Sequence, residues 1–89
     1  MKKYYFVGGP KAGKSEEFFR RLREIGGTPA SWRVYPHVSN DGKALHIAEV
    51  ESQSEILRHL HHFDGIYEWG KIEEIVETQR MNENDETSH

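Results

Sequence analysis

The sequence predicts one small α+β domain whose elements follow the order strand, helix, strand, strand, helix, strand. Three observations carry that reading. Two segments, Phe18 to Ile25 and Ile56 to Phe63, repeat apolar residues with helical spacing. Runs rich in aromatic and branched residues precede, separate and follow them. Asn40-Asp41-Gly42, between the second and third of those runs, is a strong hairpin signal.

The first strand is Lys2 to Val7 (KKYYFV), which stops at Gly8-Gly9-Pro10. Ser15 is expected to cap the first helix, with Glu16 and Glu17 at its positive end and Phe18, Phe19, Leu22 and Ile25 on its apolar side. Gly26-Gly27 ends it. Trp32 to Val38 (WRVYPHV) is the second strand, and Pro36 places it at an edge or beside a bulge because proline donates no ladder hydrogen bond. Ala44 to Glu51 returns antiparallel to it. Ser52 and Glu55 form a capping box before Ile56, Leu57, Leu60 and Phe63, and Asp64-Gly65 closes the second helix. The last extended segment runs from Ile66 to Trp69 and from Ile72 to Val76, with Gly70 marking a bulge or shift between them. The domain therefore spans residues 1–77. Residues 78–89 (TQRMNENDETSH) hold too few apolar side chains to offset the entropy of ordering and are expected to form a disordered tail.

With 89 residues, 35% hydrophobic and 30% charged, the chain has apolar material for one small core. A domain of this size buries only about 60% of the surface its unfolded chain exposes. With no cysteine to cross-link it, self-association is the expected supplement. The absence of cysteine, of a signal-like apolar run and of a spanning-length apolar stretch leads to the expectation of a soluble cytoplasmic protein without membrane association. A net charge of -3 gives no basic face for nucleic acid.

The two helices carry the same apolar pattern between strands, so the chain is two rough copies of a β-α-β unit. That is the ferredoxin-like order, with both helices on one face of a four-stranded antiparallel sheet. Together with KYYFVGGPKAG, FRRLREIGGTPA, the His37 region and AEVES, this order resembles the dimeric α+β barrel superfamily, and within it a small family of short domains of uncharacterised function. The resemblance covers roughly residues 2–77. It implies a homodimer packed through open sheet faces and a cavity between sheet and helices. It does not choose a reaction, because the superfamily includes monooxygenases, isomerases, dehydratases and haem enzymes.

Period-two alternation places Tyr5 and Val7 with Arg33, Tyr35 and His37 and with Leu45, Ile47 and Glu49 on the face away from the helices. A slip of one residue would exchange this set for Tyr4, Phe6, Val34, His46 and Ala48. His37 and, once desolvated, Glu49 are the candidate catalytic acid and base. Tyr5, Arg33, Tyr35 and Ile47 are the candidate ligand contacts, and the simpler reading is that these groups satisfy one another across a dimer seam.

Three further features read more simply than their motifs suggest. Gly8 to Ser15 (GGPKAGKS) fits the phosphate-loop pattern, but a hairpin-containing chain of this length lacks the parallel sheet and second acidic strand, so a turn before a helix is expected. His59 and His62 have a metal-compatible spacing without a completing ligand, and are expected on a solvated helix face. Trp32, Tyr35, Tyr67 and Trp69 are expected to pack rather than to stack on RNA bases, because the third strand supplies no aromatic partner. The function expected is a homodimeric domain binding a small apolar or aromatic organic molecule, with no metal, nucleotide or other cofactor. If it is catalytic, the chemistry is cofactor-free, of monooxygenase or isomerase type. The alternative is a non-catalytic dimerisation or regulatory domain.

Overall fold

A computed structural model describes residues 1–36 and 41–76. Expectations resting on His37 to Asn40 and on the 78–89 tail lie outside the described residues. The elements are β1 (Lys2–Pro10), α1 (Ser15–Glu24), β2 (Trp32–Tyr35), β3 (Ala44–Val50), α2 (Gln53–Leu60) continued by a 3-10 turn (His61–Phe63), β4 (Tyr67–Trp69) and β5 (Glu73–Ile75). The sheet is antiparallel with the order β2-β3-β1-β4, and β5 also pairs with β1. This α+β arrangement is compatible with the ferredoxin-like order.

β1 is the central strand because its aromatic and branched residues pair along both edges. Tyr5 faces Ile47 on one side and Glu73 on the other, and Gly8 faces Trp69. Between Tyr5 and Gly8 lie two residues of β1, whereas Gly70, Lys71 and Ile72 lie between their partners Glu73 and Trp69. The extra residue is a bulge, anchored by the Gly70 amide donating to the Val7 carbonyl at 2.9 Å. β4 and β5 are thus two pieces of one edge. β1 also runs three residues beyond its expected end, since Gly8 and Gly9 pair with Trp69 and Glu68 in the ladder.

α1 begins at Ser15, with Lys14 in the capping position and no side-chain cap, so Ser15 is the first helical residue and does not cap. Its end matches expectation: Gly27 at φ 91° donates its amide to the Leu22 carbonyl at 2.8 Å, a left-handed closure that glycine adopts without strain. α2 carries the expected capping box, Glu55 accepting from the Ser52 amide at 3.2 Å.

The core lies between the sheet and the helices. Tyr4, Phe6, Trp32, Ala48, Val50, Ile56, Leu60, Phe63, Ile66 and Tyr67 are buried together. The two helices contribute unequally. α2 buries Ile56 and Leu60, whereas α1 fully buries no side chain and reaches the core only through the half-buried Phe18 and Leu22.

Candidate functional site

His46 is the buried polar group of this core, 8% exposed. Alternation along β3 turns it inward with Ala48 and Val50, and its ring stacks on Phe6 with centroids 4.5 Å apart and planes 6° from parallel. Its Nδ1 lies 3.1 Å from the Ala44 carbonyl oxygen. A carbonyl only accepts, so Nδ1 carries the hydrogen, and the neutral ring then offers Nε2 as an acceptor. The Tyr67 hydroxyl, 3.1 Å away, donates to it. Burial holds the His46 pKa below the ordinary histidine value, against the Ala44 and Phe6 carbonyls, and nearby His59 lowers it further. Burial also pushes the Tyr67 phenol well above its usual value. Both partners are therefore held uncharged.

The pair sits on the wall of a cleft of about 280 Å³ between α1 and the sheet. Phe18, Phe19 and Leu22 form the helix wall, while Gly8, Gly9, Pro10, Ala44, His46 and Tyr67 form the sheet wall. Small residues leave the space, and one of them is obligatory. A Cβ on Gly8 would lie 2.9 Å from the Glu68 carbonyl oxygen and 2.9 Å from Tyr67 Cε2. Phe18 stacks on Tyr67 with ring centroids 4.7 Å apart, so one aromatic contact holds α1 beside His46. Phe19, on the next position, remains 51% exposed. Behind the pair, His46, Tyr67, His59 and Phe63 line a void of about 20 Å³. Among the described residues, Asp, Glu, Lys and Arg are absent from the cleft lining. A larger concavity of about 630 Å³ along α1 is walled only by that helix's own exposed residues and encloses nothing.

The opposite sheet face carries the residues singled out from the sequence. Arg33 and Tyr5 pair with Ile47 from either side, Tyr35 pairs with Leu45 and Lys3 with Glu49. Arg33, Tyr35, Ile47 and Glu49 share a groove of about 200 Å³ with Lys3 and Ser31. Tyr5 stands apart from it, its hydroxyl donating to Glu73 Oε2 at 2.7 Å. That contact raises the phenol pKa and lowers the Glu73 carboxyl. Glu49 is exposed, so the desolvation that a base would need has to come from a partner. His37 lies outside the described residues. By sequence alone His46 enters the candidate set only through a one-residue register slip, and Tyr67 reads as a packing residue. The signal available for His46 was its place among Leu45, Ile47, Ala48 and Val50, where a polar residue on the apolar side of a strand needs a partner.

The phosphate-loop string spans the end of β1 and the start of α1, with Gly8 and Gly9 committed to ladder pairing beside antiparallel neighbours. His59 is half-buried, its ring edge-on to Trp32 with centroids 4.8 Å apart, and burial together with His62 lowers its pKa. It belongs to the core margin, not to a solvated face. Among the described residues no group of three potential ligands could hold a metal ion, and no helix is long and apolar enough to cross a membrane. The chain matches no protein-family model, no curated protein and no solved structure.

Proposed function

We propose that the chain is a homodimeric, cytoplasmic domain of the dimeric α+β barrel type that binds a small organic molecule between α1 and the sheet. The observation that carries the reading is the cleft of about 280 Å³, mostly apolar in its lining and furnished with Thr28 and with one oriented polar pair, His46 and Tyr67. Pockets that hold small ligands combine these features, an apolar lining with a few placed polar groups. The neutrality of the pair favours binding over proton abstraction, because a histidine held below its ordinary pKa is a weak base.

The dimer rests on the other sheet face. Tyr5 and Tyr35 are exposed there, Val7, Leu45 and Ile47 are only half-buried, and Lys3, Arg33, Glu49 and Glu73 alternate in sign among them. A two-fold axis can set such mixed charges against their opposites while covering the aromatic rings. Native mass spectrometry of protein purified without added ligand tests both parts. A dimer carrying a co-purified small molecule is expected. A monomer at high micromolar concentration overturns the dimer, and a ligand-free dimer whose groove residues alone are protected supports the dimerisation-only alternative.

A further inference from the structure

We propose that the cleft between α1 and the sheet selects an uncharged aromatic molecule bearing a hydroxyl or comparable hydrogen-bond donor, seated so that this donor meets the Tyr67 oxygen. The inference deepens the small-molecule reading above and rests on it.

Charge excludes the first class of alternatives. Among the described residues, Asp, Glu, Lys and Arg are absent from the cleft lining. A carboxylate or ammonium entering it would shed water without meeting a counter-charge, which disfavours ionised ligands strongly. The walls favour a ring. Phe18 meets Phe19 edge-to-face at 5.0 Å between centroids and Tyr67 face-on at 4.7 Å, and Phe19 keeps half its surface exposed beside them. An aromatic guest extends that stack with the offset or edge-on geometries that rings prefer. The volume, just under the range of drug-sized pockets, suits one or two fused rings.

Hydrogen-bond direction at the His46-Tyr67 pair disfavours a second class there. His46 spends its hydrogen on the Ala44 carbonyl and its acceptor nitrogen on Tyr67, so it has nothing left to offer. Tyr67 has given its only hydrogen to His46. What remains on the phenolic oxygen is acceptor capacity, and a hydroxyl or amine donor complements it, whereas a bare carbonyl meets lone pair with lone pair. The Ala44 carbonyl therefore sets the polarity of these linked groups: it fixes the His46 tautomer, which takes the Tyr67 hydrogen and leaves the Tyr67 oxygen with acceptor capacity alone.

Three probes of one shape separate these terms: 2-naphthol, naphthalene and 2-naphthoate, titrated at neutral pH and followed through the amide signals of Gly8, Gly9 and Ala44. Naphthol is expected to bind about threefold to tenfold more tightly than naphthalene, the worth of one ordinary hydrogen bond, and naphthoate at least as weakly as naphthalene. Tyr67→Phe combined with His46→Leu, which removes the acceptor that Tyr67→Phe alone would free, should erase the preference for naphthol while naphthalene still binds, and the latter shows that the variant is folded. Equal affinities of naphthol and naphthalene in the unaltered protein, tighter binding of naphthoate, or a naphthol preference that survives the double change would each overturn the inference while leaving a ligand cleft in place. If no probe moves these signals, the ligand reading itself falls. If the signals move only with protein concentration, and Phe19→Glu abolishes that movement, a second copy of the chain occupies the cleft.

Discussion

Removing the Tyr67 hydroxyl should cost the domain far more than the loss of one oxygen atom suggests. Tyr67→Phe keeps the ring that stacks on Phe18 and fills the same volume, so packing is unchanged. It strips the donor from His46 Nε2, a nitrogen on a residue 8% exposed whose other side is already bound to Ala44. A buried group left unsatisfied costs about 1–3 kcal/mol, a sizeable part of the ~5–15 kcal/mol typical of a domain. Through urea denaturation the effect appears as a lower midpoint at unchanged slope, and in a thermal scan as a melting temperature about 4–8 °C lower for each 1 kcal/mol. The decisive measurement is the cycle with His46→Leu. In that background Tyr67 has no acceptor and its hydroxyl is the orphan, so adding Tyr67→Phe should be neutral or stabilising. A coupling of about 1 kcal/mol or more is expected between the two sites. Equal costs of Tyr67→Phe in both backgrounds would refute the argument, because the two side chains would then not be satisfying each other.

Two further outcomes follow from the same surroundings. His46 and His59 have pKa values lowered by burial, so the unfolded chain binds more protons than the folded one once pH drops to the ordinary histidine value of about 6.5; stability should be full above that value and decline as pH falls through the lowered values, by at most about 1.4 kcal/mol per pH unit for each proton. Chemical denaturation between neutral and mildly acid pH should show this slope, shallower in His46→Leu, and a stability that rises on acidification contradicts it. Gly8→Ala should destabilise by about 1–3 kcal/mol as an overpacking change, because the new methyl meets a ladder carbonyl and the Tyr67 ring together; a neutral effect in urea titration would mean that the close approach of β1 and β4 does not constrain the cleft wall.

Much of the architecture was legible because it depends on local rules. Helix ends follow from Gly26-Gly27 and from the Ser52 and Glu55 box, and the face carrying Tyr5, Arg33, Tyr35, Ile47 and Glu49 follows from alternation. The bulge was signalled by Gly70. The N-terminal end of α1 was not legible, since Ser15 is a fine capping residue by type and only the chain path from Pro10 decides that Lys14 occupies the position. The length of β1 was missed for a related reason. Gly8-Gly9-Pro10 is a breaker string in isolation, but β4 supplies partners for Gly8 to Pro10 from about sixty residues away in sequence.

The site was hidden by a different kind of information. Alternation sorts β3 into two faces, with Leu45, Ile47 and Glu49 on one and His46, Ala48 and Val50 on the other, but it does not say which face carries open space. A face covered by two helices is taken to be filled, and its histidine then counts as a core residue with a partner. Whether it is filled depends on how each helix spends its apolar side chains. α2 drives Ile56 and Leu60 fully inward, while α1, with a similar pattern, leaves Phe19 half exposed and stops at Phe18 and Leu22. The sheet beneath α1 is lined by Gly8, Gly9 and Ala44, whose side chains are too short to meet it. The cleft is therefore a property of the mismatch between an ordinary amphipathic helix and a patch of strand that carries only glycine and alanine beneath it. In sequence that mismatch is spread over the Gly8-Gly9 pair, Phe18 to Leu22 and Ala44 to His46, segments that the β1-β3 register and the packing of Phe18 on Tyr67 bring together.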